Sequence, residues 1–501
     1  MLAKSRLDGG WPSAYYLGEH AGAGAMRRWI PWIVTCAAAL IAVAVLCAWL
    51  LRVPPMPEVR QPTNEGSLAE ARAARSNAVV DLSGTFREFP GVRVAASSSW
   101  PGFRGLRREN LAVWEGPLLE TWPANGPPVL WRVDLGEGHA APAVRNGRVY
   151  LLDYDEAREG DVLRCFALDS GRELWQRFYQ VKTKRNHGIS RTIPAVDDTC
   201  VVSLGPQCHV LCVTASNGAF RWGKNLVDLY GAKVPLWWAG QCPLLDAGEA
   251  VLAPAGRALL IGADIATGKV NWETPNPEHW EMSHSSVMVL TADGVRQFIY
   301  AAAGGIAGVA ADGPLRGQLL WHTGVFAPSV VAPSPVPLPD GRFFMTAGYG
   351  SGGVMFRVSR SNGQWQASVL FRTDRRIFGC EQQTPVFHDG LLYTVLPNDA
   401  GDHRQEFACM DLDGRVLWTS GGNSRFGLGP YLLVGRNRFL LLDDTAILSL
   451  MAVDGNGCRL LARADIMAET GRDAWGPMAF VDGRLLLRDS KRLVCLDLRV
   501  K

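Results

Sequence analysis

The sequence predicts an all-β ring of eight four-stranded sheets, closed by an N-terminal strand and preceded by one transmembrane helix. Three observations carry the prediction. A proline followed by apolar residues recurs as an opening signal, a glycine and tryptophan pair recurs as a closing signal, and each chain end holds part of one further copy.

The unit is clearest over residues 141–175, APAVRNGRVYLLDYDEAREGDVLRCFALDSGRELW. Short apolar runs separated by Asn146-Gly147 and Ser170-Gly171 are the pattern of an antiparallel meander of about four strands. The opening returns at Pro194, Pro243, Pro335, Pro385, Pro430 and Pro477, and without its proline at Ser286. Successive starts lie roughly 43 to 52 residues apart, a period of stacked or ring-shaped repeats. Proline lacks the amide hydrogen that a central strand donates, so each first strand is a sheet edge, as the innermost strand of a propeller blade is.

The closing signal places Gly171 before Trp175, Gly218 before Trp222, Gly268 before Trp272, Gly317 before Trp321 and Gly414 before Trp418. Gly457 keeps the spacing with Leu461, and Trp365 stands out of register behind Gly363. Rings of this size fit the wedge between neighbouring sheets, where each buries about 150–250 Å².

Ring closure follows from the ends. Leu130 and Trp131 match a closing strand whose earlier strands are missing, whereas residues 477–501 supply opening strands and stop without a tryptophan strand. Joined, they make one sheet and leave no free edge between first and last blade. Starts at Pro142, Pro194, Pro243, Ser286, Pro335, Pro385, Pro430 and Pro477 count eight blades, an eight-bladed β-propeller over residues 100–501.

Before it, residues 29–51 carry no charge, which at about 1.5 Å per residue spans a hydrocarbon core. Lys4, Arg6, Arg27 and Arg28 precede that run, so residues 1–28 form a cytoplasmic segment and the propeller is exported, into the periplasm or outside a bacterial cytoplasmic membrane crossed once. No small-x-small site follows, which favours an uncleaved anchor over a signal peptide, and Leu46 before Cys47 is too bulky for a lipobox. Residues 52–99 turn to Pro, Ala, Glu and Arg, the composition of a flexible linker, which WPGFRG at 100–105 ends.

CFALDSGRELW, CVTASNGAFRW, GADIATGKVNW and CMDLDGRVLW resemble the PQQ-like repeat. That repeat builds the propellers of quinoprotein alcohol dehydrogenases and of the propeller lipoprotein of the outer-membrane β-barrel assembly machine. WPGFRG looks like the leader before membrane-linked members. The resemblance implies the fold, which serves enzymes and scaffolds alike. As implied by the dehydrogenases, catalysis would use PQQ over calcium, an aspartate base and a disulfide between adjacent cysteines. The chain has no Cys-Cys pair and no C-x-x-C-H haem motif, and Glu381, Asn398 and Asp399 are candidate calcium oxygens that no spacing singles out.

Cys165, Cys212, Cys409 and Cys495 share one third-strand position, where other copies carry Gly262 and Met451, and read as small core residues too far apart to bridge. Cys200 and Cys208 are the one pair worth testing as a disulfide. With 51 Lys and Arg against 48 Asp and Glu, a net charge of +3 makes no case for nucleic acid, and the basic loops at 185–191 and 372–379 read as solvated surface.

A binding site belongs in the loops leading into the innermost strands, which converge on one mouth of the channel. There the tentative contacts are His139, Arg191, Gln241, His284, Gln382 and Trp475. The favoured function is a membrane-anchored, non-catalytic binding or assembly platform in the cell envelope, with no cofactor and an envelope protein or small ligand as partner. The alternatives are a PQQ-dependent oxidoreductase and a sensory ectodomain.

Overall fold

The computed structural model describes residues 37, 39–47, 79–467 and 473–500. The chain divides into two compact units, Met1–Val79 and Val80–Lys501. In the first, a helix is described over 39–47. The predicted span at 29–51 falls largely outside the described residues, and among those described no helix is long and apolar enough to cross a membrane.

The second unit is eight sheets in sequence order. Blade 1 runs Ala143–Arg145, Arg148–Asp155, Gly160–Ala167 and Glu173–Gln180, each strand bonded to the next. Blades 2 to 6 repeat this meander from first strands Ala195–Val196, Leu244–Asp246, Met288–Ala292, Val336–Pro337 and Val386–His388. Blade 7 opens at Tyr431–Val434 and blade 8 at Ala479–Val481. First strands of blades 1 and 2, 2 and 3, 4 and 5, and 8 and 1 touch one another, which places them around the axis.

The ring closes as the two incomplete copies require. Val129–Asp134 is the outermost strand of blade 8, antiparallel to Arg492–Asp497 with Trp131 opposite Cys495 and Arg132 opposite Val494. Because one sheet then joins a strand from before blade 1 to the strands after blade 7, opening the ring means stripping a strand from a sheet.

The tryptophans fill the wedges. A Cβ on Gly171, Gly218, Gly268 or Gly317 would lie 2.7, 2.7, 2.6 or 2.7 Å from the ring of Trp131, Trp175, Trp222 or Trp272 respectively, each ring belonging to the preceding blade. Only a glycine, free to take φ of +66 to +85 there, lets the indole lie against the turn. Indole donors complete the contact: Trp131 Nε1 donates to Leu168 O at 2.7 Å, Trp222 Nε1 to Ile265 O at 3.0 Å and Trp418 Nε1 to Asp454 O at 3.1 Å. In blade 5 the out-of-register Trp365 leaves this position to Phe371, whose ring lies 2.8 Å from a Cβ on Gly414.

The shared cysteine position faces the same rings across the sheet: Cys165 opposite Trp175, Cys212 opposite Trp222, Cys409 opposite Trp418 and Cys495 opposite Trp131. All four are free thiols with raised pKa, chiefly from burial in Cys165, Cys409 and Cys495 and from the hydrogen bond with Cys200, then burial, in Cys212. Cys200 and Cys208 do not bridge each other: Cys208 Sγ contacts Met282 Sδ at 3.7 Å, while Cys200 neighbours Cys212, two residues from its register partner Thr214. The pair was expected because the two cysteines lie on facing runs of one copy, but the strand register sends the two thiols to different neighbours.

Residues 80–99, read from composition as the end of the linker, belong to the ring unit. Thr85–Glu88 adds a fifth, outermost strand to blade 1, pairing Glu88 with Trp175 and Thr85 with Phe178.

Candidate functional site: the mouth formed by the lead-in loops

Each first strand is entered from one face of the ring, and the lead-in segments of blades 1 to 4 bring three of the expected residues together. His139 N donates to Ser190 O at 2.6 Å, joining the lead-ins of blades 1 and 2. The imidazole is packed so closely that a Cβ on Gly188 would sit 2.8 Å from it. Arg191 turns its guanidinium onto backbone carbonyls: Nε donates to Trp237 O, and Nη2 to Asn186 O at 2.8 Å and His187 O at 2.5 Å. His284, from the lead-in of blade 4, lies beside Trp237 with ring centroids 6.0 Å apart and donates its backbone N–H to Val331 O at 3.0 Å.

Burial sets the charge states. It pushes His139 down to about 3, helped by the positive charges of Arg488 and Arg191, and His284 down to about 4, helped by Arg191. Both imidazoles are neutral at physiological pH. Arg191 is lowered to about 10 by desolvation and stays charged. A fixed cation thus lies between two neutral rings that offer hydrogen bonds, an arrangement suited to binding and orientation.

The other expected residues do not join this cluster. Gln241 is buried and closes on its own blade, with Nε2 donating to Ala253 O and Oε1 accepting from Ala253 N at 3.0 Å. Gln382 is half-buried on the lead-in of blade 6. Its neighbour Gln383 donates Nε2 to the carbonyl of Trp475 at 3.3 Å, linking that lead-in to blade 8. Trp237 and Trp238 were missed, because a Trp-Trp pair before a proline strand reads as packing. Trp238 holds φ of 69 in the left-handed region, a strained turn.

Of the candidate calcium oxygens, Glu381 and Asp399 lie within electrostatic reach of each other, and Asp399 Oδ1 is buried without a hydrogen-bond partner. Asn398 N donates to Glu381 Oε2 at 3.4 Å, and the neighbouring charge of Asp399 adds to the burial that raises Glu381. Asp399 Oδ2 is paired with Arg375 at 3.5 Å, and Asn398 Oδ1 accepts from Gln405 Nε2 at 2.7 Å. Among the described residues no three His, Cys, Asp or Glu side chains converge to hold a metal ion.

Solved structures share the architecture. The quinohemoprotein alcohol dehydrogenase ADHIIG from Pseudomonas putida is 11% identical, with 80% of each chain covered and a TM-score of 0.53. The quinohemoprotein alcohol dehydrogenase from Comamonas testosteroni is 11% identical over 80% of this chain and 81% of its own, also with a TM-score of 0.53. At such identities the likeness is one of fold. BamB from Moraxella catarrhalis is 14% identical over 74% of this chain and 99% of its own, with a TM-score of 0.49. No curated protein sequence matches. The family model of the outer membrane protein assembly factor BamB matches residues 158–420, more than half of the sequence, and the chain therefore belongs to that family of propellers.

Proposed function

We propose that the protein is a membrane-anchored, extracytoplasmic propeller serving as a non-catalytic binding or assembly platform in the cell envelope. Anchoring to the cytoplasmic membrane rests on the uncharged run at 29–51 and the arginines before it. The binding role rests on membership of an assembly-factor family and on the mouth. The observation that carries it is the convergence of His139, Arg191 and His284 from the lead-ins of blades 1, 2 and 4, with the arginine fixed by carbonyls and the imidazoles neutral. Such groups hold a partner without moving a proton at physiological pH. The ligand is an envelope protein or a small molecule that seats on these loops.

Melting the purified protein with PQQ and calcium separates this reading from a quinone-dependent oxidoreductase. A cofactor at 100 times its Kd stabilises the folded state by about 2.7 kcal/mol. The platform reading expects no shift, and a calcium-dependent rise in Tm with PQQ overturns it.

A further inference from the structure

Residues 100–112 enter the ring and fill its centre. Trp100 bridges Val144 of blade 1, the two exchanging backbone hydrogen bonds of 2.9 and 2.7 Å. Pro101 O accepts from Val196 N of blade 2 at 2.8 Å. The chain then turns, and its two arginines part in opposite directions. Arg104 donates to Thr384 O at 2.6 Å and Pro385 O at 2.8 Å, where blade 6 begins. Arg108 donates to Pro243 O at 2.9 Å and Cys242 O at 3.2 Å, where blade 3 begins. On the way out, Asn110 Nδ2 donates to Tyr431 O and Asn110 O accepts from Leu433 N at 3.1 Å. Leu111–Ala112 then pairs in parallel with the first strand of blade 7, and Ala112 O accepts from Gly435 N at 2.9 Å.

This segment therefore satisfies the inner edges of five blades. Its own backbone is strained to do so: Arg104, Arg108 and Asn110 hold φ of 61, 61 and 63, and Gly105 takes +82 with a Cβ position 3.0 Å from the Trp100 ring. Left-handed non-glycine residues persist where surrounding contacts over-determine them. Both guanidiniums are buried, and their hydrogen bonds run to carbonyl oxygens, so the ring supplies a cradle shaped for these two side chains.

We propose that the central channel is a peptide-binding site, occupied in cis by residues 100–112 as a tethered ligand. The peptide class is defined by what the cradle reads: an extended backbone at position 100 for the blade 1 edge, two arginines four residues apart for the carbonyls of blades 6 and 3, and an asparagine followed by a two-residue strand for blade 7. The lead-in mouth is then a blind pocket instead of a through-channel, with exposed Leu106 and Arg107 at the turn of the segment. Arg104 and Arg108 are positioning residues for the lead-ins that follow Gln382 and Gln241.

Amide hydrogen exchange on the full chain tests this. In the Arg104→Ala, Arg108→Ala protein, Val144, Val196, Leu433 and Gly435 amides should lose protection together by at least tenfold, while second-strand amides such as Leu441 keep theirs. Unchanged protection at the four amides, or loss throughout the ring, overturns a separable site. A second arm inserts a protease site between exposed Ala124 and Asn125, cleaves the folded protein and adds excess labelled peptide 98–114. The peptide should exchange into the nicked ring at least 30-fold better than the same peptide carrying both Arg→Ala changes. Equal uptake of the two, or no uptake of either, overturns the proposal.

Discussion

Asp161 offers a perturbation whose sign depends on pH. It sits in the third strand of blade 1, fully buried, accepting Tyr179 O–H on Oδ2 at 2.6 Å while Oδ1 has no hydrogen-bond partner. Burial pushes its carboxyl from 3.8 up to about 7, against the lowering effect of the Tyr179 hydrogen bond. Between those values the unfolded chain has lost a proton that the native one keeps. The stabilisation is thus complete below the unfolded pKa and is lost as pH rises through the native one. Three units at about 1.4 kcal/mol each put the cost of the buried charge at about 4 kcal/mol by pH 8. Asp161→Asn keeps an acceptor for Tyr179 and removes the charge, but leaves an amide N–H₂ unpaired for about 1–2 kcal/mol. The variant should therefore be more stable than the parent by about 2–3 kcal/mol at pH 8, and no more stable at pH 5, where the parent is protonated. Urea midpoints at the two pH values measure this. A variant destabilised equally at both would refute the reasoning, because it would show that the carboxylate is paired.

Two further outcomes follow from packing and from the mouth. Trp131→Ala should cost about 3–5 kcal/mol, since it empties the wedge beside Gly171 and weakens the sheet that closes the ring. Trp365→Ala, which removes a half-buried ring outside that register, should cost about 1 kcal/mol; equal losses by thermal melting would contradict the wedge account. His139 and His284 have native pKa values below their unfolded ones, so acidification protonates the unfolded chain first. Stability should fall from about pH 6.5 toward pH 4, by about 1.4 kcal/mol per pH unit for each histidine. The His139→Gln, His284→Gln protein should show a flatter profile by denaturant midpoint, and identical slopes would show that the rings are not buried neutral.

The ring was legible because its evidence repeats. A proline edge, a glycine turn and an indole recur at one period, and any single copy could be weak without hiding the pattern. Closure was legible because Trp131 is a closing strand without a beginning. Phe371 in place of Trp365 was not, since the third and fourth strands of blade 5 run ten residues each and carry the Gly363 turn and Trp365 beyond the wedge, leaving Phe371 beside the bulge that other blades also have. The seat of residues 100–112 was hidden for a different reason. Arg104 and Arg108 bind carbonyl oxygens, which every residue possesses, so no partner side chain in the sequence points back to them. Gln241 and Arg191 occupy comparable lead-ins, yet the glutamine folds onto its own second strand and the arginine reaches toward the next blade. That choice is made by packing, and the sequence carried only the loop.

The central functional claim is that partners seat on the lead-in mouth. Its most direct test places a photo-crosslinking residue at exposed Leu236, beside Trp237 on that mouth, and separately at exposed Asp389, on a turn at the opposite face. Irradiated in intact envelopes, the Leu236 protein should form a discrete adduct that the Asp389 protein does not. Adducts from position 389 with none from position 236 would contradict the account.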